Sequence, residues 1–478
     1  MSSDLLNKKN VAKNISKIVF TNIISLLSGI LVGFLLPKMI GVSDYGYYKT
    51  FTLYAGYVGL LHFGFIDGIY LKFGGNNYNE LDYCSFRFYT RLLLLVELFL
   101  SFVGLSISFA FLRGDLQYIF LFVSLYIVGH NMMTYFQYIS QITGRFTELS
   151  IINIVNSFLI MSSIAVVFIQ YKISGQMQNY KLFLALYSSI PFVLDAVYVV
   201  AYRKIVFGKS KVKSSLFFES WKLVLLGVPL MVANLCSSLI LSIDRQFVNI
   251  LFDNETYAVY AFAYNMLALI TTAISAVSIV IYPMMKRMKE GHIFEIYNKI
   301  SAVLIVFVFA CLIVYFPLKW FIPTFLPAYT GSLPIFRIIL PGLALSSTIS
   351  IIMHNCYKTE GREKLFFLKT LLILAISIVF NTIAYLIFKT TMAISIVSIA
   401  ALVIWYLLVE RYFIVSHGVK WIRNFLYSAS LMAGFYLITI INSWWLSMVA
   451  YFAYYLAITF FVYKNEIFSF LKKKKEAI

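Results

Sequence analysis

The chain is dominated by apolar runs of about 20 residues, the length that an α-helix needs to cross a membrane, separated by short polar links. The runs do not alternate apolar and polar positions, so a β-barrel is not expected. The pattern predicts an all-α integral membrane protein with about fourteen transmembrane helices. The first seven predicted spans are 15–37, 49–72, 90–111, 116–138, 147–169, 181–202 and 222–251. The second seven are 259–285, 299–320, 333–357, 366–388, 391–409, 424–441 and 444–463.

Matching residues at a nearly constant offset indicate an internal repeat of six helices. The matches are Tyr45 with Tyr257, Tyr48 with Tyr260 and Ile69 with Ile281, each 212 positions apart, and Gly144 with Gly361, 217 positions apart. An even repeat unit returns the chain to its starting side, so the two halves share one orientation. The repeat predicts two six-helix bundles around a central cavity, an arrangement typical of transporters, followed by two additional C-terminal helices.

The repeat also sets the predicted domain boundaries. They are a cytoplasmic tail at 1–14, a bundle at 15–202, a basic linker at 203–221, a second bundle at 222–409, two further helices at 410–463 and a basic tail at 464–478. The first apolar run is expected to be a retained helix, because no cleavage site of small residues follows it.

Composition supports the membrane assignment and explains the charge. The 478 residues are 61% hydrophobic and 12% charged, against roughly 45–50% and about 25% in soluble domains. The net charge is +19, but most Lys and Arg residues fall in alternate links, which predicts that both termini are cytoplasmic. The basic excess is therefore expected to contact anionic lipid heads and not nucleic acid. The four cysteines lack metal-ligand spacing, so neither a metal nor a cofactor is expected.

Cations inside apolar runs are the first candidates for a functional site, because an ionised side chain in hydrocarbon needs a partner or a water-filled cavity. Arg245 lies in the outer third of the seventh predicted span, and Arg337 in the outer third of the tenth. Lys38 and Lys49 flank the outer ends of the first two spans, while Lys17 enters the first span from inside. Arginine binds phosphate groups in a bidentate manner, so Arg245 is the first choice for an anion site and Arg337 the second.

These cations also have structural interpretations, which the sequence leaves open. Arg245 can be neutralised by Asp244 or by an acid on a neighbouring helix. Arg337 can snorkel to the headgroups, and Lys38 and Lys49 can serve as interfacial anchors. Consecutive helical residues point about 100° apart, so Asp244 and Arg245 are not expected to face the same cavity.

Buried ionisable groups form a second set of candidates. The second predicted span carries His62 and Asp67, the third Glu97, and the sixth Asp195. Together with Asp244, these side chains are candidates either for binding a coupling ion or for structural hydrogen bonding. Glycines beside His62 are expected to let a neighbouring helix approach closely.

Three stretches resemble the polysaccharide-biosynthesis flippases of the Wzx type. The residues that carry the resemblance are Gly41, Asp44, Tyr45 and Gly46 with His62 to Phe65, then Gly227 to Pro229 with Ser242 to Arg245 and Tyr257 to Ala263, and finally Leu326 to Tyr329. The chain departs from the family at Ala258, where a glycine is commoner. These flippases are members of the multidrug, oligosaccharidyl-lipid and polysaccharide exporter superfamily.

The resemblance implies a fold, a substrate and a cellular setting. The implied fold is two six-helix bundles that enclose a V-shaped cavity opening alternately to either side. The implied substrate is undecaprenyl diphosphate carrying a short oligosaccharide for O-antigen, capsule or another surface polysaccharide. The implied location is the bacterial cytoplasmic membrane, where the polysaccharide polymerase and chain-length machinery are candidate partners.

Other functional classes fit the residues less well. A cation-coupled multidrug exporter of the same superfamily is the nearest alternative, but binding cationic drugs favours an acidic cavity, whereas the candidates here are mostly basic. A membrane polymerase or glycosyltransferase needs a catalytic constellation, and the sequence contains no phosphate-binding glycine loop, metal-spaced cluster or recognisable nucleophile and base. A non-enzymatic transporter is therefore predicted, and the repeat disfavours a channel.

Overall fold

The computed structural model describes residues 20–210, 214–286, 292–419 and 421–476. Apart from one isolated bridge between Ile40 and Gln178, the regular secondary structure of these residues is helical. Helices satisfy their own backbone hydrogen bonds, which hydrocarbon requires. The prediction of an all-α protein is confirmed.

The chain divides into two compact units, Met1–Ala261 and Phe262–Ile478. The helices of the first unit are α1 (Phe20–Met39), α2 (Val42–Ala55), α3 (Phe65–Phe73), α4 (Tyr83–Phe111), α5 (Gly114–Ile142), α6 (Phe146–Ser174), α7 (Tyr180–Ala201), α8 (Arg203–Val206), α9 (Ser214–Ile240), α10 (Ile243–Leu251) and the start of α11 (Asn254–Lys286). Those of the second unit are the rest of α11, α12 (His292–Cys311), α13 (Tyr315–Phe325), α14 (Ser332–Ile339), α15 (Gly342–Ser347), α16 (His354–Thr359), α17 (Glu363–Phe388), α18 (Thr391–His417), α19 (Ile422–Ile438) and α20 (Trp444–Glu476).

The helices identify a multi-pass membrane protein. Each predicted span overlaps one helix, a consecutive pair or, for 333–357, three consecutive helices. Within the described residues, 10 helices are long and apolar enough to cross a membrane, or up to 11 if the pair Ser332–Ile339 and Gly342–Thr359, bent by 44°, is one span. The count of fourteen crossings stays a prediction, as do the bundle boundaries and the orientation of the termini.

Aromatic side chains form much of the core of the first unit. The ring of Phe136 in α5 stacks on Tyr198 of α7 at 5.5 Å and on Tyr202 at 6.0 Å between centroids. The Tyr202 hydroxyl lies 2.8 Å from Ser140 Oγ, so this buried phenol keeps a hydrogen-bond partner. Large rings thus fill the space between helices, and a short polar side chain satisfies the Tyr202 hydroxyl group.

Helices α3 and α9 approach so closely that only glycine fits between them. A Cβ atom at Gly64 would lie 2.5 Å from the backbone nitrogen of Val228, and one at Gly68 would overlap the Leu223 carbonyl group. Gly227 of α9 faces Gly64 with the same lack of space. Small residues at helix contacts allow such backbone packing in membranes. The close approach expected at the glycines beside His62, Gly64 and Gly68, is confirmed.

Candidate functional site

The second predicted span, 49–72, is a broken helix and not the continuous one that its hydropathy predicts. Helix α2 ends at Ala55, a 3₁₀ turn spans Val58–His62, and α3 begins at Phe65. Between them, Phe63 and Gly64 are left-handed, with φ of 50° and 77°. Glycine adopts this conformation without steric cost, but phenylalanine does not. Broken helices in membranes occur where irregular backbone is buried in protein or borders a cavity.

The seventh predicted span, 222–251, is also broken. Helix α9 ends at Ile240 and α10 begins at Ile243, with Ser242 at φ −136° in the interruption. Asp244 lies in the first turn of α10, where a carboxylate is favoured by the helix dipole. Its Oδ1 accepts a hydrogen bond from the Arg245 backbone at 2.8 Å and its Oδ2 from the Tyr260 hydroxyl at 2.7 Å. Asp244 therefore connects α10 to the start of α11.

A polar ladder joins α10, with the break before it, to α2 and the turn after it. Asn249 donates to Thr50 Oγ1 at 2.7 Å, Gln246 donates to the Tyr54 hydroxyl at 3.0 Å, and Ser242 Oγ lies 3.2 Å from the Tyr57 hydroxyl. Residue numbers increase along one segment as they decrease along the other, so the two segments run antiparallel. The steps of three and four residues are those of side chains on one face of a helix. We call this set of three contacts the polar ladder.

Lys49 and Arg245 both lie beside the polar ladder. The Lys49 ammonium lies 5.2 Å from the ring centroids of both Tyr45 and Tyr48, a cation–π geometry. The Lys49 carbonyl accepts from the Tyr257 hydroxyl at 3.2 Å, which holds α2 against α11. Arg245 donates through Nη2 to the Leu241 carbonyl at 3.3 Å and precedes Gln246 of the polar ladder, just as Lys49 precedes Thr50. The pair forms a basic patch on two broken segments.

The link before α11 helps to position this patch. The Asp253 carboxylate accepts from the Thr256 hydroxyl at 2.6 Å and from the Thr256 backbone at 2.9 Å, an N-terminal cap for α11. These hydrogen bonds favour the ionised carboxylate and lower the pKa of Asp253. Asn254, the first residue of α11, donates to the Ser43 carbonyl at 2.6 Å and so fixes the helix start against α2.

The candidate acids of the first unit lie in separate surroundings. Glu97 is fully buried in α4 and accepts at 2.8 Å from Asn131 of α5, whose amide also donates to the Val58 carbonyl at 3.2 Å. Among the described atoms, no hydrogen-bond partner reaches Glu97 Oε1. His62 and Asp67 are buried with Nε2 and Oδ2 3.7 Å apart, too far for a direct hydrogen bond.

Other candidates are not part of the basic patch. Lys38 is exposed at the end of α1, the position of an interfacial anchor, and Lys17 lies outside the described residues. Asp195 lies on α7, and in the described part of the chain its Oδ1 has no hydrogen-bond partner. His62 accepts at Nδ1 from the Gly64 backbone at 3.1 Å, which places it in the break of the second span.

Arg337, in the second unit, supports the end of a helix. Its guanidinium donates to the Tyr436 carbonyl at 3.0 Å, and Lys319 donates to the Thr439 and Ile441 carbonyls at 3.1 and 2.7 Å. The last carbonyl groups of a helix lack intrahelical partners and carry a partial negative charge, so both cations stabilise the end of α19. This contact is the kind that a structural role for Arg337 requires.

The sequence analysis missed the neutral members of the site. Gln246, Asn249 and Tyr54 have no charge, so they did not stand out from the apolar runs. Their spacing is the available signal, because amides at positions three residues apart share one face of a helix. Asn131 was missed for the same reason. No group of three side chains suited to a metal ion occurs among the described residues.

Comparisons with known proteins identify the fold. No protein-family model matches the sequence, and no curated protein matches it significantly. The structure is similar to the lipid II flippase MurJ in an inward closed conformation, with a TM-score of 0.73 and 13% identity over 95% of this chain and 100% of that chain. It is also similar to an inward-facing multidrug resistance MATE transporter of the MOP superfamily, with a TM-score of 0.58 and 12% identity over 84% and 96% of the two chains. The chain has the MOP superfamily fold.

A third solved structure agrees with this result. A MOP superfamily transporter from Pyrococcus furiosus gives a TM-score of 0.52 and 13% identity over 88% of this chain and 96% of its own. MOP denotes the superfamily that the sequence resemblance predicted, so that prediction of the fold is confirmed.

Proposed function

We propose that this protein is a flippase that moves an oligosaccharide linked to undecaprenyl diphosphate across the bacterial cytoplasmic membrane. The fold supports a transporter, and the resemblance of the sequence to polysaccharide-biosynthesis flippases supports the substrate. The proposed process is transport: the lipid-linked oligosaccharide changes leaflet, and no covalent bond forms or breaks. The product would be used for O-antigen, capsule or another surface polysaccharide.

The observation that carries the proposal is the basic patch of Lys49 and Arg245. A diphosphate in a low-dielectric site needs opposite charge and hydrogen-bond donors, because its desolvation is otherwise very costly. Arginine can supply two parallel donors to phosphate oxygens, while lysine adds a mobile point charge. The hydroxyl and amide groups of the adjacent polar ladder are suited to hydrogen bonding with sugars.

The broken segments suggest how the site moves. We infer alternating access, in which the binding site opens to one side of the membrane at a time while the polyprenyl tail remains in lipid. The interruptions at Phe63–Gly64 and Leu241–Ser242 lie on the two spans that supply the patch. Breaks in helices are places where a span can bend without losing the hydrogen bonds of its straight segments.

A cation-coupled multidrug exporter is the second candidate function. The buried carboxyl groups of Glu97 and Asp67 favour it, because intramembrane acids are typical of ion pathways. The two functions predict different substrates. An exporter of cationic drugs would bind through acids, whereas the proposed flippase binds its anionic headgroup through Lys49 and Arg245.

Deletion of the gene in the native host tests the proposal. Lipid-linked oligosaccharide should accumulate on the cytoplasmic face of the membrane, and the wild-type gene should reverse this. Arg245→Ala and Lys49→Ala should fail to do so at wild-type expression, because each removes a cation from the patch. The readout is the amount of lipid-linked oligosaccharide accessible from each side of membrane vesicles.

Arg113→Ala is the matched control. Arg113 is exposed and, like Arg245, donates to helix carbonyl groups, at 2.8 Å to Phe109 and 2.9 Å to Leu112, but it is outside the patch. This variant should restore transport fully. If the deletion strain changes only in drug sensitivity, the proposed flippase function is wrong and the exporter function is favoured. If Arg245→Ala restores transport fully, the assignment of Arg245 to the binding site is wrong, but the flippase function is not contradicted.

A further inference from the structure

A basic cavity lies between α17 and α18 in the second unit, on residues that the proposed transport site does not use. Its volume is about 550 Å³. The lining combines cationic, aromatic and apolar side chains: Leu368, Lys369, Leu372, Leu408, Arg411, Tyr412, Val415 and Ser416. Such a combination at the end of membrane helices suits a ligand with an anionic head and apolar chains.

Two like charges meet in this cavity. Lys369 of α17 donates to the Tyr357 hydroxyl at 3.0 Å and to the Leu408 carbonyl at 2.9 Å, so its ammonium is held in place with one hydrogen left over. Arg411 of α18 is exposed and lines the same cavity. In the part of the chain that the structure describes, neither cation forms a salt bridge.

The neighbouring acids are outside the cavity lining. Glu360 accepts from the Tyr412 hydroxyl at 2.8 Å and lies 2.6 Å from His417 Nε2. Glu410, which precedes Arg411, is buried and accepts from the Tyr297 hydroxyl at 2.6 Å. Neither acid lines the cavity, and among the described residues neither carboxylate forms a salt bridge with Lys369 or Arg411, so the lining carries two cations without a paired acid.

The two cations lie near the same end of the α17–α18 helix pair. Lys369 is six residues after the start of α17, and Arg411 is six residues before the end of α18. At 1.5 Å per residue, both lie about 9 Å inside the helix ends. Leu368 and Leu372 are each 51% exposed and Val415 is 75% exposed. Exposed aliphatic side chains on spanning helices contact acyl chains.

We propose that this cavity binds an anionic phospholipid. Its phosphodiester would be held by Lys369 and Arg411, and its acyl chains would pack along Leu368, Leu372 and Val415. A zwitterionic phospholipid is less suited to the site because its headgroup carries a cation of its own. Free phosphate is less suited because it has no acyl chains to bury. Positive-inside counting predicts the cytoplasmic side for both cations, the side where anionic lipid attracts basic residues. The proposal is independent of the transported substrate.

Thermal unfolding of the purified full-length protein in detergent tests this site. Phosphatidylglycerol should raise the melting temperature in a saturable manner, because it binds the folded protein. Phosphatidylcholine with the same acyl chains and inorganic phosphate should leave it unchanged. Arg411→Gln should weaken phosphatidylglycerol binding by about tenfold or more, the loss expected for one charge-assisted hydrogen bond.

The control is Lys364→Gln, which changes an exposed cation of α17 outside the cavity. It removes the same charge and should bind phosphatidylglycerol as the wild type does. Equal loss in both variants would mean non-specific attraction and overturn the proposal. An unchanged Arg411→Gln protein, or equal stabilisation by phosphatidylcholine or inorganic phosphate, would overturn it as well. Lys369→Gln should show the same loss as Arg411→Gln, and Arg411 carries the test if that variant does not fold.

Discussion

At the scale of single residues, Asp244 and Arg245 divide their roles although they are neighbours. Asp244 is 2% exposed and is held by Tyr260 and by the backbone of its own helix. Arg245 reaches back to the Leu241 carbonyl and supplies one of the two cations of the basic patch. The 100° turn between consecutive residues separates them, as the sequence predicts. We therefore expect Asp244 to affect folding and Arg245 to affect transport.

Asn131 is predicted to stabilise the folded protein, because it donates a hydrogen bond to the buried carboxyl group of Glu97. Asn131→Leu removes the only amide donor to Glu97 that the described residues provide. An uncompensated buried polar group costs about 1–3 kcal/mol, so the variant should unfold at a lower temperature. The measurement is the melting temperature in detergent.

Glu97→Leu in the same protein supplies the check. If the loss in Asn131→Leu comes from the abandoned carboxylate, the double variant Glu97→Leu/Asn131→Leu should recover part of it. Removing the carboxylate leaves only the Val58 carbonyl without its Asn131 donor. Destabilisation of the double variant equal to the sum of the single ones would show that the two residues act independently.

At the scale of elements, the second and seventh spans are joined in two ways. The polar ladder connects α2 to α10, and glycine packing connects α3 to α9. The sequence predicts close packing at these glycines but not their partner, because the contact joins residues more than 150 positions apart. It also misses both breaks, since hydropathy averages over a run and does not register the turn at Phe63 and Gly64.

Gly68→Val is predicted to disrupt the pairing of α3 with α9. The new side chain would overlap the Leu223 carbonyl group, and overpacking of this kind costs about 1–3 kcal/mol. The variant should melt at a lower temperature and accumulate poorly in membranes. Gly59→Ala is the control in the same span, because its Cβ would meet only His130 Nε2, at 3.8 Å. Similar losses in the two variants would contradict a specific contact.

At the scale of the whole molecule, local pattern and long-range packing contribute different information. Apolar runs predict the helices, and the resemblance predicts the MOP fold, because both depend on features that are local in sequence. The charged candidates Lys49 and Arg245 could be named from the sequence, since charge in hydrocarbon is conspicuous. The neutral polar ladder could not, because Gln246 and Asn249 acquire their meaning only when α10 lies against α2.

The most direct test of the proposed function is translocation in proteoliposomes. Purified protein is reconstituted with a fluorescent undecaprenyl-diphosphate oligosaccharide, and the fraction reaching the inner leaflet is followed with an impermeant quencher. The account predicts rapid movement with wild-type protein and with Arg113→Ala, and a rate reduced by about tenfold or more with Arg245→Ala. A wild-type rate equal to that of protein-free vesicles, with folded protein present, would contradict the account.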